Sequence, residues 1–140
     1  MNEPERAIPA PVADPESAPF WAALADGRVI VQECVECGRR RFPRLPACPF
    51  CGAPGGADVE IPGTGRVYSF VRVNRALNPV MAADVPYCIA TVDMDGGGRM
   101  QGRLEPASAA GIDLAVAPVF FSHPDWTELR FRPASEERPT

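Results

Sequence analysis

Two short knuckles, Cys34-Val35-Glu36-Cys37-Gly38 and Cys48-Pro49-Phe50-Cys51-Gly52, carry the residues whose type and spacing commit this chain to a definite chemistry. Two residues between paired cysteines let one tight turn present both sulfurs to the same ion, and four thiolates at about 2.3 Å make a tetrahedral zinc shell. A glycine follows the second cysteine of each pair, where such a turn passes through positive φ. Ten residues separate Cys37 from Cys48, enough for a short hairpin that brings the two pairs together. The alternative is a pair of disulfides. Met1 to Ala13 is polar, acidic and proline-rich, unlike a secretory signal, and a cytoplasmic chain keeps its thiols reduced. Thiol exchange needs one Cys-x-x-Cys, not two matched ones. Zinc on Cys34, Cys37, Cys48 and Cys51 is therefore the expected cofactor and the cytoplasm the expected location. Four thiolates leave no open position for water, so the ion is expected to be structural, supplying folding free energy to a segment too small to bury much apolar surface.

The remaining reactive side chains give no catalytic set. The single histidine, His123, stands in the turn-like Ser122-His123-Pro124-Asp125 and is read as an exposed loop residue. Cys88, between Tyr87 and Ile89, reads as a small buried hydrophobe. Asp93 and Asp95 precede a Gly-Gly-Gly turn and read as turn formers. The sequence contains no Gly-x-Ser-x-Gly elbow, glycine-rich phosphate loop or His-Glu-x-x-His. All 14 basic residues are arginine, and Arg28, Arg39, Arg40, Arg41 and Arg44 crowd around the knuckles against only Glu33 and Glu36. Such a cluster suits a phosphate-bearing ligand or an acidic partner; equally, it keeps an edge strand from pairing with other chains. With net charge −4 the chain lacks the basic surplus of a nucleic-acid module, and no apolar run approaches the roughly 20 residues of a membrane span.

The elements that must position these groups fall into three parts between tails at 1–16 and 134–140, expected to be disordered. The spacing predicts a helix over 17–27, capped by Ser17, with Pro19 in its first turn and Gly27 at its end. Phe20, Trp21 and Leu24 share one face of it; this aromatic stripe is expected to anchor a partner subunit, the alternative being its own core. Residues 28–58 read as the metal ribbon, with strands at Arg28–Gln32 and Arg39–Pro43. Residues 59–133 read as all-β. Strands are predicted at Gly65–Val73, Pro86–Met94, Arg99–Glu105, Ala115–Phe121 and Glu128–Arg132, with Asp95-Gly96-Gly97-Gly98 as a hairpin turn. In the first of these, Val67, Val71 and Val73 alternate with Tyr68, Phe70 and Arg72. Five strands in about seventy residues match a partly open Greek-key barrel of the OB type. The 75–85 connection is apolar and contains proline, which suggests that it covers a ligand or partner.

Taken together, these motifs resemble a known family. Pro19-Phe20-Trp21, the paired knuckles with Arg41-Phe42-Pro43 between them, and Gly63-Thr64-Gly65-Arg66-Val67-Tyr68-Ser69-Phe70 occur in order with Pro86-Tyr87-Cys88-Ile89-Ala90, Gly102-Arg103-Leu104 and Phe131-Arg132-Pro133. Over residues 17–133 the chain resembles the zinc-ribbon/OB-fold family of thiolase-associated proteins, of the domain-of-unknown-function-35 type. The resemblance implies a mainly β fold with a short N-terminal helix, a rubredoxin-like zinc ribbon and a C-terminal five-stranded OB-fold barrel. It implies a non-catalytic accessory subunit bound to a thiolase-fold protein, in a hetero-oligomer such as a heterotetramer. The complex would make or cleave a carbon–carbon bond in acyl-CoA esters, by thiolase or retro-aldolase chemistry, with steroid or lipid side-chain degradation as one setting. Arg40, Arg66 and Arg72 are then candidates to meet the CoA phosphates, and the 75–85 loop to cover the acyl group. One departure appears: the family's fourth strand opens on a glycine-containing turn near a valine, whereas Leu114-Ala115-Val116-Ala117-Pro118 leaves the register of strand four open. A single-stranded nucleic-acid binder built on the same barrel, with Tyr68 and Phe70 as stacking platforms, is the alternative.

Overall fold

The computed structural model describes residues 8–134; most of the two expected tails, 1–7 and 135–140, lies outside them. Helix α1 spans Ala18–Ala25 and leads into β1 (Val29–Glu33), β2 (Arg40–Arg41) and β3 (Ala57–Ile61). These strands form an antiparallel sheet in the order β2-β1-β3. The third strand was not anticipated. Its Ala57-Asp58-Val59-Glu60-Ile61 carries alternating charge and reads as loop by propensity, but pairing along the whole of β1 (Val29↔Ile61 to Glu33↔Ala57) holds it extended. The ribbon sheet thus runs to Ile61, across the expected 58/59 boundary.

The rest is a closed barrel of β4 (Gly65–Val73), β5 (Tyr87–Met94), β6 (Arg99–Leu104), β7 (Ala115–Ser122) and β8 (Thr127–Pro133). Its order, β4-β5-β6-β8-β7 and back to β4, contains one parallel contact, Leu104↔Phe131 between β6 and β8. That is the five-stranded Greek-key closure of an OB barrel. The fourth barrel strand, β7, is fixed in register from both sides: Val116 pairs with Gly65 and with Pro133, and Pro118 lies opposite Phe131.

Strict alternation fails in β4. The register steps from Val67↔Val92 to Ser69↔Thr91, so Tyr68 is an extra residue in a β-bulge. Beyond it the faces exchange. Phe70 and Arg72 now stand opposite the fully buried Ala90 and Cys88, and Phe70 packs on the core, while Val71 is 59% exposed opposite Ile89.

Helix α1 lies between ribbon and barrel and makes the two share one core. Phe20, Ala23 and Leu24 are buried with Val29, Val31 and Ile61 of the ribbon and with Val92, Met100, Leu129 and Phe131 of the barrel. Its start is held by Asp14, three residues upstream of the expected cap. The Ser17 side chain makes no cap bond to the helix; it accepts the Asp14 N–H while the Asp14 carboxylate accepts the Ser17 N–H at 2.8 Å. The N–H of Ser17 holds the exposed Asp14 carboxyl below its ordinary range.

The β5–β6 hairpin turn docks against the ribbon. Gly96, Gly97 and Gly98 all have positive φ, and a side chain on Gly97 would stand 2.8 Å from Cβ of Arg40. Arg40 in turn donates from Nη1 to the carbonyl of Gly96 at 2.7 Å and from Nε to Glu33 at 3.2 Å.

Candidate metal centre and barrel face

Among the described residues, Cys34, Cys37, Cys48 and Cys51 form the one cluster suited to a metal, with all four sulfurs within 4.8 Å of one another. Across the knuckles, Sγ of Cys34 lies 3.6 Å from that of Cys51, and Sγ of Cys37 lies 3.7 Å from that of Cys48. Four sulfurs at about 2.3 Å from one centre stand about 3.8 Å apart at tetrahedral angles, so the set fits zinc. Backbone amides prepare the thiolates. Glu36 and Cys37 N–H groups point at Sγ of Cys34 at 3.3 and 3.4 Å, and Phe50 N–H at Sγ of Cys48 at 3.4 Å. The amide of Cys37 above all holds the Cys34 thiol below its ordinary range. At Cys48 burial pushes upward, but the amides of Cys51 and Phe50 outweigh it and bring the thiol to about 6. The φ of +78° at Gly38 and +83° at Gly52 closes each knuckle.

The second knuckle is held by two residues that the motif does not contain. Arg41, 6% exposed, donates from Nη2 to the carbonyls of Leu45 and Gly55, at 3.2 and 2.8 Å. Those carbonyls bracket the Cys48–Cys51 loop. Gln32, opposite Arg41 in the β1–β2 pairing, accepts the Leu45 N–H at 2.8 Å. Arg44 fastens the same loop outward to Asp58 at 2.7 Å and to the carbonyl of Glu16. The surplus of arginine seen in the sequence is therefore partly internal. A zinc ion with four thiolates is anionic overall, and a buried guanidinium nearby offsets it.

The candidate CoA arginines do not form one cluster. Arg66 faces outward opposite Asp93 and donates to the carbonyl of Asp113 at 3.0 Å. Arg72 lies six residues on, roughly 20 Å along the strand, turned to the inner face by the bulge and donating to Ala107 O at 3.4 Å. Arg40 lines a cleft of about 420 Å³ with Arg41, Phe50 and Arg99.

The Phe20/Trp21/Leu24 stripe is divided. Phe20 and Leu24 are buried in the chain's own core, with Phe20 4.8 Å from the Phe42 ring. Trp21 is half-buried and meets Trp126 edge-on at 5.9 Å.

His123 is not an exposed loop residue. Its side chain is 7% exposed, its ring is stacked 4.4 Å from Trp126, and Nε2 lies 2.8 Å from Oε1 of Glu128. Glu128 also pairs with Arg130 at 2.9 Å; Arg130 approaches Glu105 at 3.5 Å, and Arg103 bonds Glu105 and Asp84, both at 3.0 Å. This chain of ions crosses the outer face of β6 and β8, from the β7–β8 turn to the short 3₁₀ turn Pro79–Asp84 in the 75–85 connection. The tetrapeptide alone gave no sign of it. A signal was present: Gln101 and Arg103 in β6, Glu105 just past its end, and Glu128, Arg130 and Arg132 in β8 recur with period two, which places them on the outer face.

Residues 21–55 match the family described as the ChsH2 rubredoxin-like zinc ribbon domain, and residues 58–121 the ChsH2 C-terminal OB-fold domain. The solved structure of an Ltp2-ChsH2(DUF35) aldolase contains a chain 30% identical to this one; the alignment covers 90% of this chain and all of that one, with a TM-score of 0.80. The chain belongs to the ChsH2/DUF35 family. A second DUF35 structure, from Sulfolobus solfataricus, is 20% identical over 86% of each chain with a TM-score of 0.64, a likeness of fold. Two curated relatives are each 30% identical: a probable enoyl-CoA hydratase alpha subunit from Thermomonospora curvata and the 3-oxo-4,17-pregnadiene-20-carboxyl-CoA hydratase alpha subunit from Mycobacterium tuberculosis. The alignments cover 95% and 88% of this chain but 42% and 39% of those proteins. This DUF35 chain thus spans about two fifths of the curated relatives it matches. The zinc-ribbon assignment gives the four cysteines their role as the ligand set of a structural zinc.

Proposed function

We propose that the chain is the non-catalytic subunit of a cytoplasmic hetero-oligomer, such as a heterotetramer, with a thiolase-fold partner. In that complex an acyl-CoA ester is built or cleaved at a carbon–carbon bond, by thiolytic or retro-aldol chemistry. The observation that supports this most is the full-length match to the ChsH2(DUF35) chain of a solved aldolase; the names of the curated relatives support acyl-CoA esters, a steroid acyl-CoA among them. On this reading the reacting groups belong to the partner, because the zinc shell is closed and His123 is committed to Glu128 and Trp126. Zinc folds the ribbon, the ribbon fixes α1 and the β5–β6 turn, and the barrel face shapes the channel for the substrate. Of the three arginines proposed for CoA, Arg40 lines a cleft of about 420 Å³. Arg40→Ala is then expected to raise KM with turnover retained, and Arg66→Ala to change little.

The test is assembly. Co-expressed with a thiolase-fold protein, the chain is expected to elute as a defined complex by light scattering. Elution of the two proteins apart, each folded, contradicts the proposal. The single-stranded nucleic-acid reading has less support, since Arg103 and Arg130 on the barrel face are bound by Asp84, Glu105 and Glu128. An oligonucleotide shift at low salt is expected to be absent.

A further inference from the structure

The four metal ligands are not equally sheltered. Cys34 and Cys48 are buried, while Cys37 and Cys51 are exposed. Each short sulfur–sulfur contact joins one of each kind across the knuckles: Cys51 reaches Cys34 at 3.6 Å, and Cys37 reaches Cys48 at 3.7 Å. Sulfurs in a disulfide stand about 2.05 Å apart, so either pair closes by a movement of about 1.6 Å. A thiolate open to solvent is the one an oxidant meets first. Here a second thiolate stands directly behind it, on the opposite knuckle.

The bonds that keep these pairs facing each other do not pass through the ion. The first knuckle is closed by the Cys34 N–H on the Arg39 carbonyl at 2.9 Å and the Gly38 N–H on the Cys34 carbonyl at 3.0 Å. The second repeats this pattern, with the Cys48 N–H on Ala53 at 2.8 Å and the Gly52 N–H on Cys48 at 2.9 Å. The Gly55 N–H meets the Pro46 carbonyl at 2.7 Å, and Arg41 ties Leu45 to Gly55 across the same loop. Strand β1 delivers Cys34 from Glu33, which pairs with Ala57 just beyond the second knuckle. Cys88, the fifth cysteine, lies fully buried in the barrel core and serves as an internal reference.

We infer that the four-cysteine centre is also a peroxide-responsive site, at which oxidation forms two cross-knuckle disulfides, Cys34–Cys51 and Cys37–Cys48, and releases the metal. The Cys51 thiolate attacks one oxygen of hydrogen peroxide; the S–O bond forms, the O–O bond breaks, and the departing hydroxide takes up a proton to become water. Cys34 then attacks the sulfenic sulfur of Cys51. The S–S bond forms, the S–O bond breaks, and a second hydroxide leaves as water. Cys37 and Cys48 repeat the sequence with a second peroxide. Four thiolates thus give up four electrons, two peroxides and four protons become four waters, and the site no longer holds its ion. The covalent links then tie the knuckles together. The inference concerns this chain alone and stands apart from the function proposed above.

The sequence makes the pairing readable. Trypsin separates the knuckles, because Arg28, Arg39, Arg44 and Arg66 leave Cys34 and Cys37 in peptide 29–39 and Cys48 and Cys51 in peptide 45–66. Cleavage after Glu36 and after Phe50 then parts the two cysteines of each knuckle. The zinc-loaded full chain is treated with hydrogen peroxide beside a chromogenic chelator, denatured with iodoacetamide, and digested without reductant. The expected result is release of one zinc per chain for about two peroxides consumed. The two peptides are expected to be joined through Cys34–Cys51 and Cys37–Cys48, with Cys88 recovered as the alkylated thiol. Dithiothreitol followed by zinc is expected to restore the metal content. Zinc retained at a dose that oxidises Cys88, disulfides confined within either peptide, the opposite cross-pairing, or sulfinic and sulfonic acids in place of disulfides overturns the inference. Since the parent chain is used throughout, no cysteine variant has to fold.

Discussion

Arg41 shows why a cysteine motif is an incomplete description of a metal centre. The four sulfurs can be read from spacing, but their positions depend on a guanidinium that ties Leu45 to Gly55 across the loop holding Cys48 and Cys51. Arg41→Leu removes both bonds and the positive charge while keeping much of the volume. It is expected to speed zinc transfer to a chromogenic chelator by about tenfold or more, in line with the loss usual for partners of metal ligands, with one zinc per chain still bound at the start. Unchanged transfer shows that the loop holds itself. Cys34→Ser goes further: a structural zinc contributes its binding free energy to folding, so this variant is expected to lose the ion and precipitate or melt well below the parent. A metal-free chain with a native circular dichroism spectrum contradicts the structural role. His123 and Arg103 were harder to read in advance. Their surroundings come from β6, β8 and two turns remote in sequence, so a turn-like tetrapeptide gave no sign that the imidazole would be stacked on Trp126.

At the scale of elements, helix α1 illustrates what periodicity can and cannot decide. Its position and apolar face follow from Pro19, Gly27 and the spacing of Phe20, Trp21 and Leu24, yet spacing does not say what covers the face. The structure divides it: Leu24 is 1% exposed inside the chain's own core, while Trp21 is half-buried and meets Trp126 at its edge. Leu24→Ala is accordingly expected to cost the isolated chain about 3 kcal/mol in a denaturant melt. Trp21→Ala is proposed to spare the melt by comparison and to weaken partner binding by about 2 kcal/mol, as at an interface anchor. A Trp21→Ala chain that is destabilised as much as Leu24→Ala, with partner affinity intact, assigns the whole helix face to the core. Strand β4 was placed correctly over Gly65–Val73 but its faces were not. Nothing in Val67-Tyr68-Ser69-Phe70 marks a bulge, because the insertion is set by the register against β5 rather than by any residue's own preference. Strand β3 was missed for a related reason, its extended state being imposed by β1.

For the whole molecule, architecture was more legible than assembly. Cysteine spacing, five short strands and glycine turns lead to a ribbon followed by an OB barrel, and the observed strand order agrees. A partner, by contrast, leaves its mark only as surface, and surface residues such as Arg40, Arg66 and Arg72 look alike until the fold separates them. The central claim is that this chain shapes a reaction whose chemistry belongs to another subunit. The most direct measurement is single-turnover cleavage of a β-hydroxyacyl-CoA by four samples: this chain alone, the proposed thiolase-fold partner alone, the purified parent complex, and the same complex carrying His123→Ala. Turnover by the complex, none by this chain, and retained turnover in an assembled His123→Ala complex is the predicted pattern. Turnover by this chain alone, or its complete loss in a His123→Ala complex that still assembles, contradicts the account.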